Sequence, residues 1–220
     1  MEQQTSRTKL MFLAIISLAA WFALGLQFNI LIIVSFAKGA TLISAIGTFF
    51  SYFTILTNIL VALAFTVLWF KPAFAWGKFF SRPTVLTAVT VYISFVGISY
   101  SLLLRHIWDP QGWHLLADEL LHTITPALVV LYWLLFVSKN GLQWKNTPYW
   151  LLYPLVYVPY VLVRGELTGS YPYPFVDISD LGYAQALLNG ATLILALFLL
   201  SLLFVAIAKA MNRTSRQNEH

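Results

Sequence analysis

The chain contains no cysteine. That removes disulfides, thiolate metal ligation, iron–sulfur clusters and a thiol nucleophile together. Charge is scarce as well. Only 10% of the 220 residues are charged, against 60% hydrophobic, and mean hydropathy is +0.78, whereas a soluble domain carries roughly 25% charged residues. Water is therefore not the main solvent. No fixed-period repeat, low-complexity tract or Gly-rich phosphate loop occurs, and the inverted halves common in transporters are not evident. The net charge of +5 does not form a dense basic patch, because the basic residues sit at the ends of apolar runs. No nucleic-acid partner is expected.

What is present is a series of charge-poor runs at about 10–36, 44–70, 84–104, 115–138, 149–163 and 184–208. A span needs about 20 apolar residues to cross roughly 30 Å of hydrocarbon. The runs predict an all-α integral membrane protein, a six-transmembrane helix bundle forming one domain over residues 1–220. The first run follows Arg7 and Lys9 and imitates the start of a signal peptide, but it is too long for one and is expected to be retained. The fifth is the shortest and holds Pro154 and Pro159, which predict a kink.

Six spans place the N-terminus, the second and fourth loops and the C-terminus on one face. That face holds Arg7, Lys9, Lys71, Lys78, Arg82, Lys139, Lys145, Lys209, Arg213 and Arg216, and the opposite face only Lys38, Arg105 and Arg164. The positive-inside rule makes the first face cytoplasmic, with both termini inside. The expected location is the plasma membrane, the inner membrane in a bacterium. Asp109, Asp118, Glu119, Glu166, Asp177 and Asp180 gather at the outer ends of spans, as a polar outer vestibule would require.

Polar groups at bilayer depth cost free energy without partners, so each is a candidate site. On the second span Ser51, Thr54 and Asn58 follow i, i+3, i+7 spacing and would share a helix face. On the fourth, His114, Asp118 and His122 recur every four residues. Pro126 cannot bond to the carbonyl four residues back, which predicts a helix opened at His122. Both spans enter from outside. At 1.5 Å per residue, Thr54 lies roughly 15 Å below Ser44 and His122 roughly 12 Å below His114, so the two reach one level. A threonine hydroxyl becomes a nucleophile when a base takes its proton, and histidine serves as that base near neutral pH. Asp118, one turn before His122, would fix the imidazole tautomer. Asn58 is a candidate oxyanion donor on geometry. The structural alternatives are plain: Thr and Ser in spans commonly bond to their own backbone, and His106 and His114, beside Trp108 and Trp113, suit an interfacial aromatic belt.

At these clusters the chain resembles a known family. Phe50-Ser-Tyr-Phe-Thr54-Ile, Leu121-His122-Thr123 followed by Pro126, and Leu167-Thr168-Gly169 with Tyr173-Pro174-Phe175 look like motifs of the androgen-induced and androgen-dependent membrane proteins and their bacterial six-pass relatives. Those are six-pass hydrolases of fatty acid esters of hydroxy fatty acids that use a threonine and a histidine. In the animal proteins the proline stands one residue further from the histidine. The resemblance implies an intramembrane lipid-ester hydrolase with Thr54 and His122 catalytic, no cofactor or metal, and a lipid substrate entering from the bilayer. Two rival readings stand beside it. One is a metal-dependent lipid hydrolase built on His114, Asp118 and His122, although the two histidines lie roughly 12 Å apart along one helix, too far for a single ion. The other is a small transporter or membrane scaffold without catalysis, in which Gln27, Asn29, Arg164 and Glu166 line a solute path.

Overall fold

The computed structural model describes the backbone of residues 2–217 and the side chains of residues 6–213. Its main elements are α1 (Glu2–Ala37), α2 (Leu42–Phe49), α3 (Phe53–Phe70), α4 (Ala75–Phe80), α5 (Pro83–Ser99), α6 (Trp113–Glu119), α7 (Thr125–Phe136), α8 (Thr147–Trp150), α9 (Leu152–Thr168) and α10 (Ile178–Gln217). Among the described residues there is no strand, as the apolar runs predict. Among the described residues five helices are long and apolar enough to cross a membrane: Ser6–Ala37, Phe53–Phe70, Pro83–Leu104, Trp113–Phe136 and Ile178–Arg213. The run at 149–163 forms α8 and α9 and is not among them. It follows both Thr54 and His122 in the chain, so the directions of the helices that carry those residues do not depend on it.

The second run is not one helix. It breaks between α2 and α3, and Ser51 lies in the break rather than on the helix with Thr54 and Asn58. The freed carbonyls there are capped from a distance. The Tyr157 hydroxyl donates to the Ser51 carbonyl at 2.8 Å and the Tyr160 hydroxyl to that of Phe50 at 3.2 Å. Phe53 packs against the rings of Tyr153 and Tyr157. No glycine or proline marks this break in the sequence, so local turn chemistry did not announce it.

The chain divides into two compact units, one of Met1–Phe49 with Thr54–Ser138, the other of Phe50–Phe53 with Lys139–His220. In the second, Gly169 ends α9 in the left-handed conformation (φ 65°) that only glycine adopts without cost. The Thr168 hydroxyl closes on the Arg164 carbonyl, Tyr173 stacks on Phe175 at 5.0 Å, and Asn189 donates to the Phe175 carbonyl at 2.9 Å. The Leu-Thr-Gly and Tyr-Pro-Phe motifs therefore have a local structural role as a helix stop and an ordered loop.

In the first unit α5 packs along α7. The buried Trp133 indole donates to the Thr87 hydroxyl at 2.8 Å, a kind of interhelical bond worth about 0.6 kcal/mol on average in a membrane protein. Phe65 meets Tyr132 edge-on, and Trp21 of α1 donates to Thr66 of α3 at 3.0 Å. The tightest approach is at Gly97. A Cβ there would lie 2.9 Å from the His122 carbonyl oxygen and 3.3 Å from the Pro126 Cβ, so the absence of a side chain lets α5 close on the helix that carries His122.

Gly97→Ala is therefore expected to lower the melting temperature of the detergent-purified protein, and Gly97→Leu to lower it much further. Gly25→Ala, where nothing lies within 4 Å, should leave stability unchanged or raise it by up to about 1 kcal/mol. Thermal unfolding of the three variants checks the contrast, and a neutral Gly97→Leu would refute the close packing.

Candidate functional site

The helix from Trp113 to Phe136 is not uniformly wound. Between α6 and α7 the turn Leu120–Ile124 is wide, with i→i+5 bonding, and the Thr125 N–H reaches the Leu120 carbonyl. Pro126 explains it, since proline has no N–H to give. Regular α winding would leave the His122 carbonyl without a donor, as the sequence predicts. Winding at i→i+5 moves that loss one residue back, to Leu121. The expected opening is found, and its position is corrected by one residue.

Asn58 supplies the missing donor. Its side-chain amide donates to the Leu121 carbonyl at 3.3 Å and to the Thr54 carbonyl at 2.9 Å. One amide thus joins the backbone of α3 at Thr54 to the residue just before His122. Asn58 is fully buried. Both of its N–H groups are engaged here, so a role as oxyanion donor requires one of them to be released first.

Asp118 faces inward and is buried. One carboxylate oxygen lies 3.2 Å from His122 Nδ1, and the Asp118 main-chain carbonyl lies 2.9 Å from the same nitrogen. Both partners are acceptors, so Nδ1 carries a proton. In the neutral imidazole a proton on Nδ1 leaves Nε2 as the acceptor, the arrangement a general base needs. The other carboxylate oxygen accepts a hydrogen bond from the Tyr100 hydroxyl. The Tyr100 ring also stacks on the imidazole, with centroids 4.0 Å apart and planes at 16°. Tyr100 thus clamps acid and base together. The sequence reading missed it because tyrosine is ordinary in spans. The available signal was indirect: a buried carboxylate requires a donor, and Tyr100 lies on the preceding helix of the same hairpin.

Tyr100 opens a second wide turn, Tyr100–Leu104, closed by the Arg105 N–H on the Tyr100 carbonyl at 2.9 Å. Arg105 then pairs with Glu119 at 2.8 Å, donates to the Thr123 hydroxyl at 2.9 Å and places its guanidinium 5.3 Å from the Tyr100 ring centre. Two wound-out turns on adjacent helices therefore share one polar cluster. The outermost ion pair is half exposed and contributes little to stability, while the Tyr100–Asp118–His122 group lies inside it.

Thr54 is buried at the first turn of α3. Among the described residues His122 makes no hydrogen bond to it, and the link between their helices runs through Asn58 and Leu121. His106 and His114 are exposed. Among the described residues no three of His, Asp and Glu gather as a metal's ligand set, so the stripe His114, Asp118, His122 does not close on one point.

No family model, curated protein or solved structure matches the chain.

Two consequences are measurable. In 15N spectra of histidine-labelled protein at neutral pH, His122 is expected to show a protonated Nδ1 and an unprotonated Nε2, and the opposite tautomer would contradict the arrangement. Tyr100→Phe leaves a buried carboxylate oxygen without its donor and should destabilise the protein by about 1–3 kcal/mol, read by thermal unfolding.

Proposed function

We propose that this chain is a membrane-embedded lipid-ester hydrolase in which Thr54 is the nucleophile and His122 the general base. The observation that carries the reading is the state of His122. Its Nδ1 is held by two acceptor oxygens of Asp118, and it sits beside a helix joined by Asn58 to the turn of Thr54. Its side chain is only 13% exposed, so the base works in a surrounding that suits acyl chains better than water-soluble substrates.

In the proposed reaction Thr54 Oγ attacks the ester carbonyl while its proton passes to His122 Nε2. The imidazolium is stabilised by Asp118 and then protonates the departing alcohol, leaving an acyl group on Thr54. Water, deprotonated by His122, attacks that acyl ester. The fatty acid leaves and the proton returns to Thr54. Thr54 must approach the imidazole when substrate is bound, and catalytic hydrogen bonds commonly tighten only in that complex. Asp118 and Tyr100 are positioning residues in this scheme.

The proposal includes six spans, with both termini in the cytoplasm of a cell whose plasma or bacterial inner membrane holds the protein. The charge distribution supports it: if α8 and α9 did not cross, Lys209 and Arg213 would move to the face opposite Arg7 and Lys9. The ordered loop after Gly169 would lie outside with Asp109 and Asp177.

Purified wild type should cleave a branched long-chain fatty ester in detergent. Thr54→Ala and His122→Ala should each lose at least about 10²-fold in kcat/KM, the scale of a lost acid–base group, with chelators without effect. Activity surviving Thr54→Ala would overturn the mechanism, and loss of activity on metal removal would favour a metal-dependent hydrolase. For topology, the cysteine-free background makes single introduced cysteines clean reporters. A membrane-impermeant maleimide on intact cells is expected to label Gln111→Cys and Ser170→Cys but not Ser6→Cys or a cysteine appended at the C-terminus.

A further inference from the structure

Five buried hydroxyls inside the helices share one habit. Ser17, Thr87, Thr90, Ser94 and Ser201 each donate to the carbonyl four residues back, at 2.6 to 2.8 Å. Thr125 breaks it. Its hydroxyl is fully buried and has no protein partner, and neither does the side-chain carbonyl oxygen of Asn58. The residue four before Thr125 is Leu121, whose carbonyl belongs to the wide turn and is approached by Asn58 instead. The two residues with orphaned atoms are both tied to this carbonyl: the Asn58 amide reaches it from α3, and Thr125 stands four residues along the same helix.

A flipped Asn58 amide does not resolve this. It would turn an oxygen toward the carbonyls of Thr54 and Leu121, exchanging two hydrogen bonds for two repulsions. Leaving both atoms unpaired at zero exposure would cost about 1–3 kcal/mol each. A cation fits poorly because the Asn58 N–H groups already point at the same oxygens.

We propose that this place is a binding site for one internal water molecule. The water accepts from the Thr125 hydroxyl and donates to Asn58 Oδ1 and to the Leu121 carbonyl, whose 3.3 Å bond to Asn58 leaves a lone pair available. Three hydrogen bonds is the usual complement of a buried water. The site adjoins His122 and lies one helical turn from Thr54. Resting on the hydrolase reading, this water is the one that attacks the acyl-Thr54 ester: it turns one O–H from the Leu121 carbonyl to His122 Nε2, its oxygen bonds to the acyl carbon as that proton passes to Nε2, the acyl carbon to Thr54 Oγ bond breaks, and Thr54 recovers the proton.

Three measurements on the full chain in detergent decide the matter. If the Thr125 hydroxyl holds a water, Thr125→Val lowers the melting temperature by a few degrees while Thr125→Ser keeps it near wild type. If the hydroxyl is merely orphaned, Thr125→Val raises it, and the proposal falls. X-ray radiolysis of wild type, which turns bound water into hydroxyl radical in place, should oxidise Leu121 despite its 2% exposure, and an unmodified Leu121 would also overturn the site. Its role in turnover is read separately. Thr125→Val is expected to accumulate acyl-Thr54, with release restored by hydroxylamine, and unchanged deacylation in that variant would remove the catalytic role. If wild type never acylates, the hydrolase reading fails while melting and radiolysis still decide the water.

Discussion

In hydrocarbon an unpaired main-chain carbonyl costs several kcal/mol, and Pro126 guarantees one. The cluster on the fourth span is arranged around that single deficit. Winding at i→i+5 moves it to Leu121, and Asn58 reaches across from α3 to fill it. The wide turn follows directly on Asp118 and Glu119 and contains His122, while Gly97 admits the neighbouring helix to within reach of the His122 carbonyl. A proline, an asparagine and a glycine thus set where Asp118 and His122 stand.

The Tyr100 turn answers a second deficit of a different kind. A carboxylate buried beside an imidazole is tolerable only with further donors, and Asp118 obtains one from Tyr100. The stacking of Tyr100 on His122 then fixes the ring plane as well as the proton. Arg105, outside this pair, neutralises Glu119 and stands near the same aromatic ring. Charge is thereby graded, from a half-exposed ion pair at the rim to a hydrogen-bonded acid–base pair within.

Local spacing carried much of this and failed where the partners come from another helix. Apolar runs gave the helices, the four-residue step from Asp118 to His122 gave their contact, and Pro126 gave the opening. The one-residue shift to Leu121 depends on how a helix redistributes a missing bond over a whole turn, which the position of a proline alone does not specify. The break at Phe50 to Tyr52 has no glycine or proline beneath it, because its stability comes from tyrosines far along the chain. Tyr100 escaped for the same reason: its significance depends on Asp118, 18 residues later.

The capping of that break sets an order in time. The carbonyls of Ser51 and Phe50 wait for hydroxyls that lie 106 and 110 residues further along the chain. At roughly 5–20 residues per second of synthesis, that is a delay of about 5–20 s. Throughout it the Ser51 and Phe50 carbonyls lack these two donors. The break before α3 therefore gains its caps only once α9 has emerged, long after the residues around His122 have been made.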